Sequence, residues 1–221
     1  FYHTKIIFHN HELFKGGFVG VDIFFVISGY LISSIILTEF KLKNHFSIKK
    51  FFLRRAKRIL PVLIFVVILS ILISLLILLP SPMVNFSESL LASLGFVSNY
   101  YFHFNNQNYG TEPTLLLPFL HTWSLSVEEQ FYFIFSLSFF FVFKFFKKYL
   151  IYFVLVGIAS SLIIAESGSL NHASFNFYSF PTRAWEFMIG ILISILHIDF
   201  KLKSFEKFDF ALSGLVLIFI S

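Results

Sequence analysis

Long apolar runs broken by short polar loops dominate the chain. The runs are Phe18 to Leu37, Ile59 to Leu79, roughly Leu115 to Phe143, Tyr149 to Ala165, Trp185 to Ile198, and Phe208 onward. A soluble core cannot hide so much apolar surface, so the solvent for these runs must be lipid. Ile59 to Pro80 contains 22 residues and no charge. At a rise of about 1.5 Å per residue it reaches about 33 Å, enough for the hydrocarbon core of a bilayer. The pattern predicts an all-α, multi-span transmembrane bundle. Ser89 to Phe104 is less apolar, carries Asn99 and His103, and is short for a span. It reads as an interfacial or re-entrant helix.

Charge adds orientation. Between the first two runs lie Lys41, Lys43, Lys49, Lys50, Arg54, Arg55, Lys57 and Arg58. Such a basic loop belongs on the cytoplasmic side. The first run then travels inward and the second outward. Lys144, Lys147 and Lys148 follow the third run, and Lys201, Lys203 and Lys207 follow the fifth. Both groups fall inside if Ser89 to Phe104 does not cross. On this map the arginines sit alone on the inner face, and the remaining polar motifs gather near the outer one.

Composition agrees with a lipid environment: 57% of residues are hydrophobic, 35 are Phe, and 13% are charged. The net charge of +5 concentrates in loops, which describes topology and not nucleic-acid binding. Cysteine is absent, which excludes disulfides. The chain opens on Phe1 with no signal-peptide pattern and stops at Ser221 inside an apolar run. It reads as a piece, cut at both ends, of a larger membrane protein. No internal repeat is visible, which counts against an inverted-repeat transporter.

Four motifs carry candidate chemistry. The first, Lys15 to Ser33, holds Asp22 several residues into an apolar run. Asp22 is either an acid favoured by a helix start or an active-site carboxylate that orients a His or pairs with an Arg. Gly17, Gly20 and Gly29 invite close helix contact, as does Gly190 later. The second, Phe51 to Pro61, places Arg54, Arg55 and Arg58 at i, i+1 and i+4. They are either a snorkelling anchor or guanidinium forks for a phosphate-bearing donor. Pro61 stands where the second span begins.

The third motif, His121-Thr-Trp-Ser-Leu-Ser-Val-Glu-Glu-Gln-Phe-Tyr132, is the most informative. Ionisable groups at membrane depth are costly and mostly functional. In a helix, His121, Ser124, Glu128 and Tyr132 share one stripe, and a His and a Glu two turns apart can bracket a substrate hydroxyl. The bland alternative is a helix mouth dressed with Trp123 and Tyr132. The fourth motif, Ser179 to Gly190, carries Arg183 and Glu186 at i, i+3. Arg183 can pair with Glu186 or reach Glu128 or Glu129. His3, His9 and His11 do not have standard metal-ligand spacing, so no metal is expected. His45, His172 and His197 read as surface or interfacial residues.

Together and in order, these motifs resemble the integral-membrane acyltransferase family 3, which O-acylates cell-surface polysaccharides and peptidoglycan. The resemblance spans nearly the whole chain, residues 1–221, as one partial membrane domain. It implies a further N-terminal helix, later C-terminal helices and, in some members, a periplasmic SGNH-type hydrolase domain. It also implies that His3 corresponds to an essential His whose partner Arg lies before residue 1.

The expected function is transfer of an acyl group, most simply acetyl from acetyl-CoA, to a hydroxyl of an envelope glycan: lipopolysaccharide, capsule or peptidoglycan. The expected setting is the bacterial inner membrane, with the bilayer, acyl-CoA and glycan as partners and no permanently bound cofactor. His3, His121, Glu128 and Asp22 are the candidate catalytic residues. Arg54, Arg55 and Arg58 are the candidate donor site. Trp123, Glu129, Tyr132, Arg183 and Glu186 are candidate positioning residues. The rival readings are a transporter or flippase for a lipid-linked sugar, and an inactive fragment.

Overall fold

The computed structural model describes residues 7–8, 11–12, 19–43, 45–105 and 117–199. Those residues are almost entirely helical, as the apolar runs require. Two two-residue strands, β1 (Ile7–Phe8) and β2 (His11–Glu12), pair antiparallel with Phe8 opposite His11. The helices follow as α1 (Val19–Lys43), α2 (Ile48–Ile77), α3 (Pro80–Leu94), α4 (Ser98–Phe104), α5 (Thr122–Phe146), α6 (Leu150–Asn171), α7 (Ala173–Tyr178) and α8 (Phe180–Asp199). Four stretches are long and apolar enough to cross a membrane: Val19–Lys43, Ile48–Ile77, Thr122–Ser169 and Ala173–Leu196. Much of their apolar surface, such as Val62, Phe65, Leu72 and Leu76 of α2, faces outward. In water such a face would be a liability; in hydrocarbon it is what a helix must present.

Several boundaries differ from the apolar runs. α2 starts at Ile48 and absorbs the basic run, so Pro61 lies inside a continuous helix and not at its start. Proline has no N–H, so the carbonyl of Lys57 loses its usual helical partner. Ser89 to Phe104 is not one helix. It breaks at Gly95–Val97 into the end of α3 and the short α4. Helices of 15 and 7 residues fall short of the roughly 20 needed to span.

The chain forms two units, Phe1–Leu37 with Glu186–Ser221, and Thr38–Trp185. In the first, α1 and α8 meet at two glycines. A Cβ on Gly29 would run into the backbone of Phe187, and one on Gly190 into Val26 O and Tyr30 N. Phe25 and Phe187 stack at 4.5 Å beside this crossing. Among the described residues nothing lies within 4 Å of a Cβ on Gly20, so they show no close approach there; Gly17 lies outside the described residues.

In the second unit, Leu63 and Val67 of α2 pack on Phe86 and Leu90 of α3 and on Phe119. Phe40, in the last turn of α1, packs tilted against Phe143 at 4.5 Å and stacks on Phe140 at 6.1 Å near the end of α5. Lys147 Nζ lies 5.2 Å from the Phe143 ring. The Lys41–Lys43 and Lys144–Lys148 groups therefore share one end of this unit, as the charge pattern predicted. Ser161 of α6 ties down the start of α8, donating to Pro181 O at 2.6 Å and accepting from Trp185 N at 3.0 Å.

Candidate active site

The third motif folds as the start of α5. Leu117–His121 form a turn, and the helix begins at Thr122. The predicted stripe divides. Glu128 and Tyr132 are buried, whereas His121 is exposed at the helix mouth and Ser124 Oγ bonds back to its carbonyl at 3.2 Å. Tyr132 OH donates to Glu128 Oε1 one turn earlier. Trp123 is buried in an aromatic box, 4.6 Å from Phe177 and 5.6 Å from Tyr178.

The second motif reaches this site through one residue. Arg55 Nη2 lies 3.4 Å from Glu128 Oε1, and Arg55 Nε lies 3.7 Å from Glu129 Oε1. The guanidinium also sits over the Tyr132 ring, 3.3 Å from its centroid. A planar, weakly hydrated cation suits this position, because one face meets an aromatic ring while the edge meets carboxylates. The side chains of Arg55, Glu128 and Glu129 are 17%, 7% and 15% exposed. The sequence map placed the arginines alone on one face, away from the glutamates. The structure brings Arg55 to them, so α2 and α5 share this charged depth.

The other two arginines behave differently. Arg54 and Arg58, with Lys57, are exposed. Arg54 Nη2 pairs at 3.4 Å with Glu39, which also meets Lys43 at 3.9 Å. Glu39 had no distinguishing sequence signal beyond being the one acid beside eight bases. The expected trio is thus a pair of outward arginines and one inward arginine.

Arg183 donates from Nε to Phe177 O at 3.3 Å, and its Cζ lies 5.2 Å from the Phe177 ring and 5.9 Å from Trp123. The cation placed on Glu128 and Glu129 is Arg55. Glu186 is buried one turn further along α8. Asp22 occupies the first turn of α1, half-buried, where the helix dipole favours an acid. His3 and the side chains of His9, His11 and His197 lie outside the described residues. Among the described residues, no group of three or more His, Asp or Glu is placed to hold a metal ion.

A second polar layer, mostly invisible in sequence, backs the same stretch of α5. Ser93 and Thr122 hydroxyls meet at 2.7 Å, Thr122 and Ser98 at 2.9 Å, and Ser98 and Ser126 at 2.8 Å. Gln130 Nε2 donates to Asn99 Oδ1 and to Phe96 O, both at 2.9 Å. Asn99 Nδ2 donates to Gln130 Oε1 at 3.3 Å and to Tyr178 O at 3.1 Å. Phe96 has φ of 54°, a left-handed conformation unusual for a side chain of its size. Val97 N to Ala92 O (2.9 Å) and Phe96 N to Ser93 O (3.2 Å) close α3 in the pattern usually capped by glycine.

Buried carboxylates on a guanidinium, at the mouth of a long apolar helix, define a membrane-embedded centre able to hold protons and orient polar groups. The family model described as an acyltransferase domain matches residues 1–221, and the chain belongs to that family, the integral-membrane acyltransferases of family 3. The chain is 41% identical over 130 residues to the peptidoglycan O-acetyltransferase OatA of Listeria monocytogenes, covering 58% of this chain and 21% of the relative. It is 32% identical over 202 residues to the O-acetyltransferase OatA of Staphylococcus aureus strain NCTC 8325, covering 90% and 33%. The chain thus spans about a third of the length of the curated relatives it matches. No solved structure matches it.

Proposed function

We propose that the protein containing this chain is a multi-pass membrane O-acyltransferase. It transfers acetyl from acetyl-CoA to a hydroxyl of an envelope glycan, with peptidoglycan as the first acceptor to test. The observation that carries the reading is the Arg55–Glu128–Glu129–Tyr132 cluster, built from two motifs of an acyltransferase family and buried in a segment that otherwise faces lipid. The name of the Listeria relative supports the glycan class. The shared basic end of α1 and α5 supports a cytoplasmic position for that end.

The division of labour follows from the chemistry. An acceptor oxygen attacks the thioester carbonyl, its proton passes to a base, and the thiol leaves with a proton. Histidine near neutrality suits the base, and His3 is the first candidate, with His121 and Glu128 next. Tyr132 and Arg55 fix the Glu128 carboxylate, while Arg54 and Arg58 offer two exposed forks one turn apart for donor phosphates.

The test is acyl incorporation by the full-length protein in proteoliposomes, supplied with acetyl-CoA and glycan fragments. Donor-dependent O-acetyl ester on the glycan supports the reading. Glycan or lipid-linked sugar movement without ester formation would replace it with a transporter.

A further inference from the structure

Glu128 and Glu129 can serve a reaction only if α5 is held at one rotation and one height. At about 100° per residue, Gln130 lies roughly 150° around the helix from the midpoint of the two glutamates. Ser126 lies about 40° from Gln130, whereas Thr122, seven residues before Glu129, lies near Glu129's own stripe at the start of the helix. Ser126 meets Ser98, Thr122 meets Ser93 and Ser98, and the back face itself carries the reciprocal amide pair of Gln130 with Asn99. In apolar surroundings a side-chain amide without partners is expensive, so the pair disfavours any rotation that separates it. Asn99 belongs to α4, and the pair also bonds two backbone carbonyls, Phe96 O in the Gly95–Val97 turn and Tyr178 O at the end of α7. Asn99 is fully buried. The left-handed Phe96 points its carbonyl at Gln130, and non-glycine strain of this kind persists only where the surroundings over-determine it.

We infer that Gln130 and Asn99 are positioning residues: their amide pair sets the rotation of α5 and so holds Glu128 and Glu129 under Arg55. The inference rests on the reading of that cluster as the working centre. It is distinct from general packing, because packing is served equally by an apolar side chain of similar volume, whereas registry requires the donors and acceptors.

Two measurements on the full-length protein test it. In acyl transfer, Gln130→Leu should lower kcat by about a hundredfold, the scale of an ångström-sized misplacement, with little change in the KM for acetyl-CoA. Gln130→Asn should also be impaired. The exchange Asn99→Gln with Gln130→Asn keeps both amides and their combined reach, and should recover most of the loss. The second measurement needs no activity. The coupling between Arg55 and Glu129 is read from melting temperatures of Arg55→Gln, Glu129→Gln and the double variant in nanodiscs. The cycle is then repeated in Gln130→Leu, or in Gln130→Asn if the leucine variant does not accumulate. Coupling should fall by at least half without Gln130 and return in the exchanged pair. Unchanged coupling in the Gln130 variants would overturn the inference, as would near-native kcat in Gln130→Leu. If the native protein transfers no acyl group, the functional reading fails, and the coupling cycle alone decides the positioning role.

Discussion

Removing the Arg55 guanidinium is the sharpest test of the charged centre. Arg55→Gln keeps polarity on a shorter side chain and withdraws the cation from Glu128, Glu129 and the Tyr132 ring. Breaking one side of a buried ion pair costs about 3–5 kcal/mol, because the partner charge stays buried without compensation. Here the separations of 3.4 and 3.7 Å exceed those of short charge-assisted hydrogen bonds. The expected loss therefore lies near the lower bound, about 3 kcal/mol. For a chain of this size that corresponds to roughly 6–12 °C in melting temperature. Glu129→Gln alone should cost less, since Arg55 keeps Glu128 and Tyr132. The double variant should lose less than the sum of the two. Arg55→Lys should recover only part, because an ammonium supplies neither the fork nor the planar face. The assay is thermal unfolding of purified protein in nanodiscs at low and high salt; a buried cluster predicts little salt dependence. An Arg55→Gln variant that melts with the native protein, together with additive behaviour in the cycle, would refute the buried-pair argument.

Four further outcomes are expected. Arg54→Ala or Arg58→Ala should raise the acetyl-CoA KM with little effect on melting, because both side chains are exposed; equal losses for all three arginines would mean one shared role. His3→Ala should lower acyl transfer by about 10²–10⁴ at normal expression, and near-native activity would move the base to His121 or Glu128. Gly190→Ala should destabilise the protein by about 1–3 kcal/mol through collision with the α1 backbone, whereas Gly20→Ala should be neutral or stabilising, as thermal unfolding will report. Burial, then the nearby Glu88 charge and its hydrogen bond, push the Tyr101 phenol above its ordinary value. A group so raised adds constant stability below the unfolded pKa and loses it as pH climbs toward the folded value, so stability should decline above about pH 10 and Tyr101→Phe should remove that slope.

The hydrophobic pattern alone determined that the chain is helical and suited to lipid, because runs longer than 18 apolar residues have few other solutions. It also located the long helices to within a few residues where charge or proline did not intervene. Lysine placement foretold that the ends of α1 and α5 lie together. The four motifs foretold the family, and the third put Glu128 and Tyr132 on one helix stripe; the hydrogen bond from Tyr132 to a buried Glu128 is visible only in the structure. Sequence could not distinguish Arg55 from Arg54 and Arg58, since all three have the same chemistry within one helical turn. Only the packing of α2 on α5 decided which one turns inward. The Asn99–Gln130 pair was equally hidden: 31 residues separate its members, and polar side chains in a weakly apolar segment look alike until a partner is placed. Periodicity reports which face of a helix avoids water, but in a membrane nearly every face is apolar. The polar contacts between helices then carry the specificity, and they exist only in three dimensions.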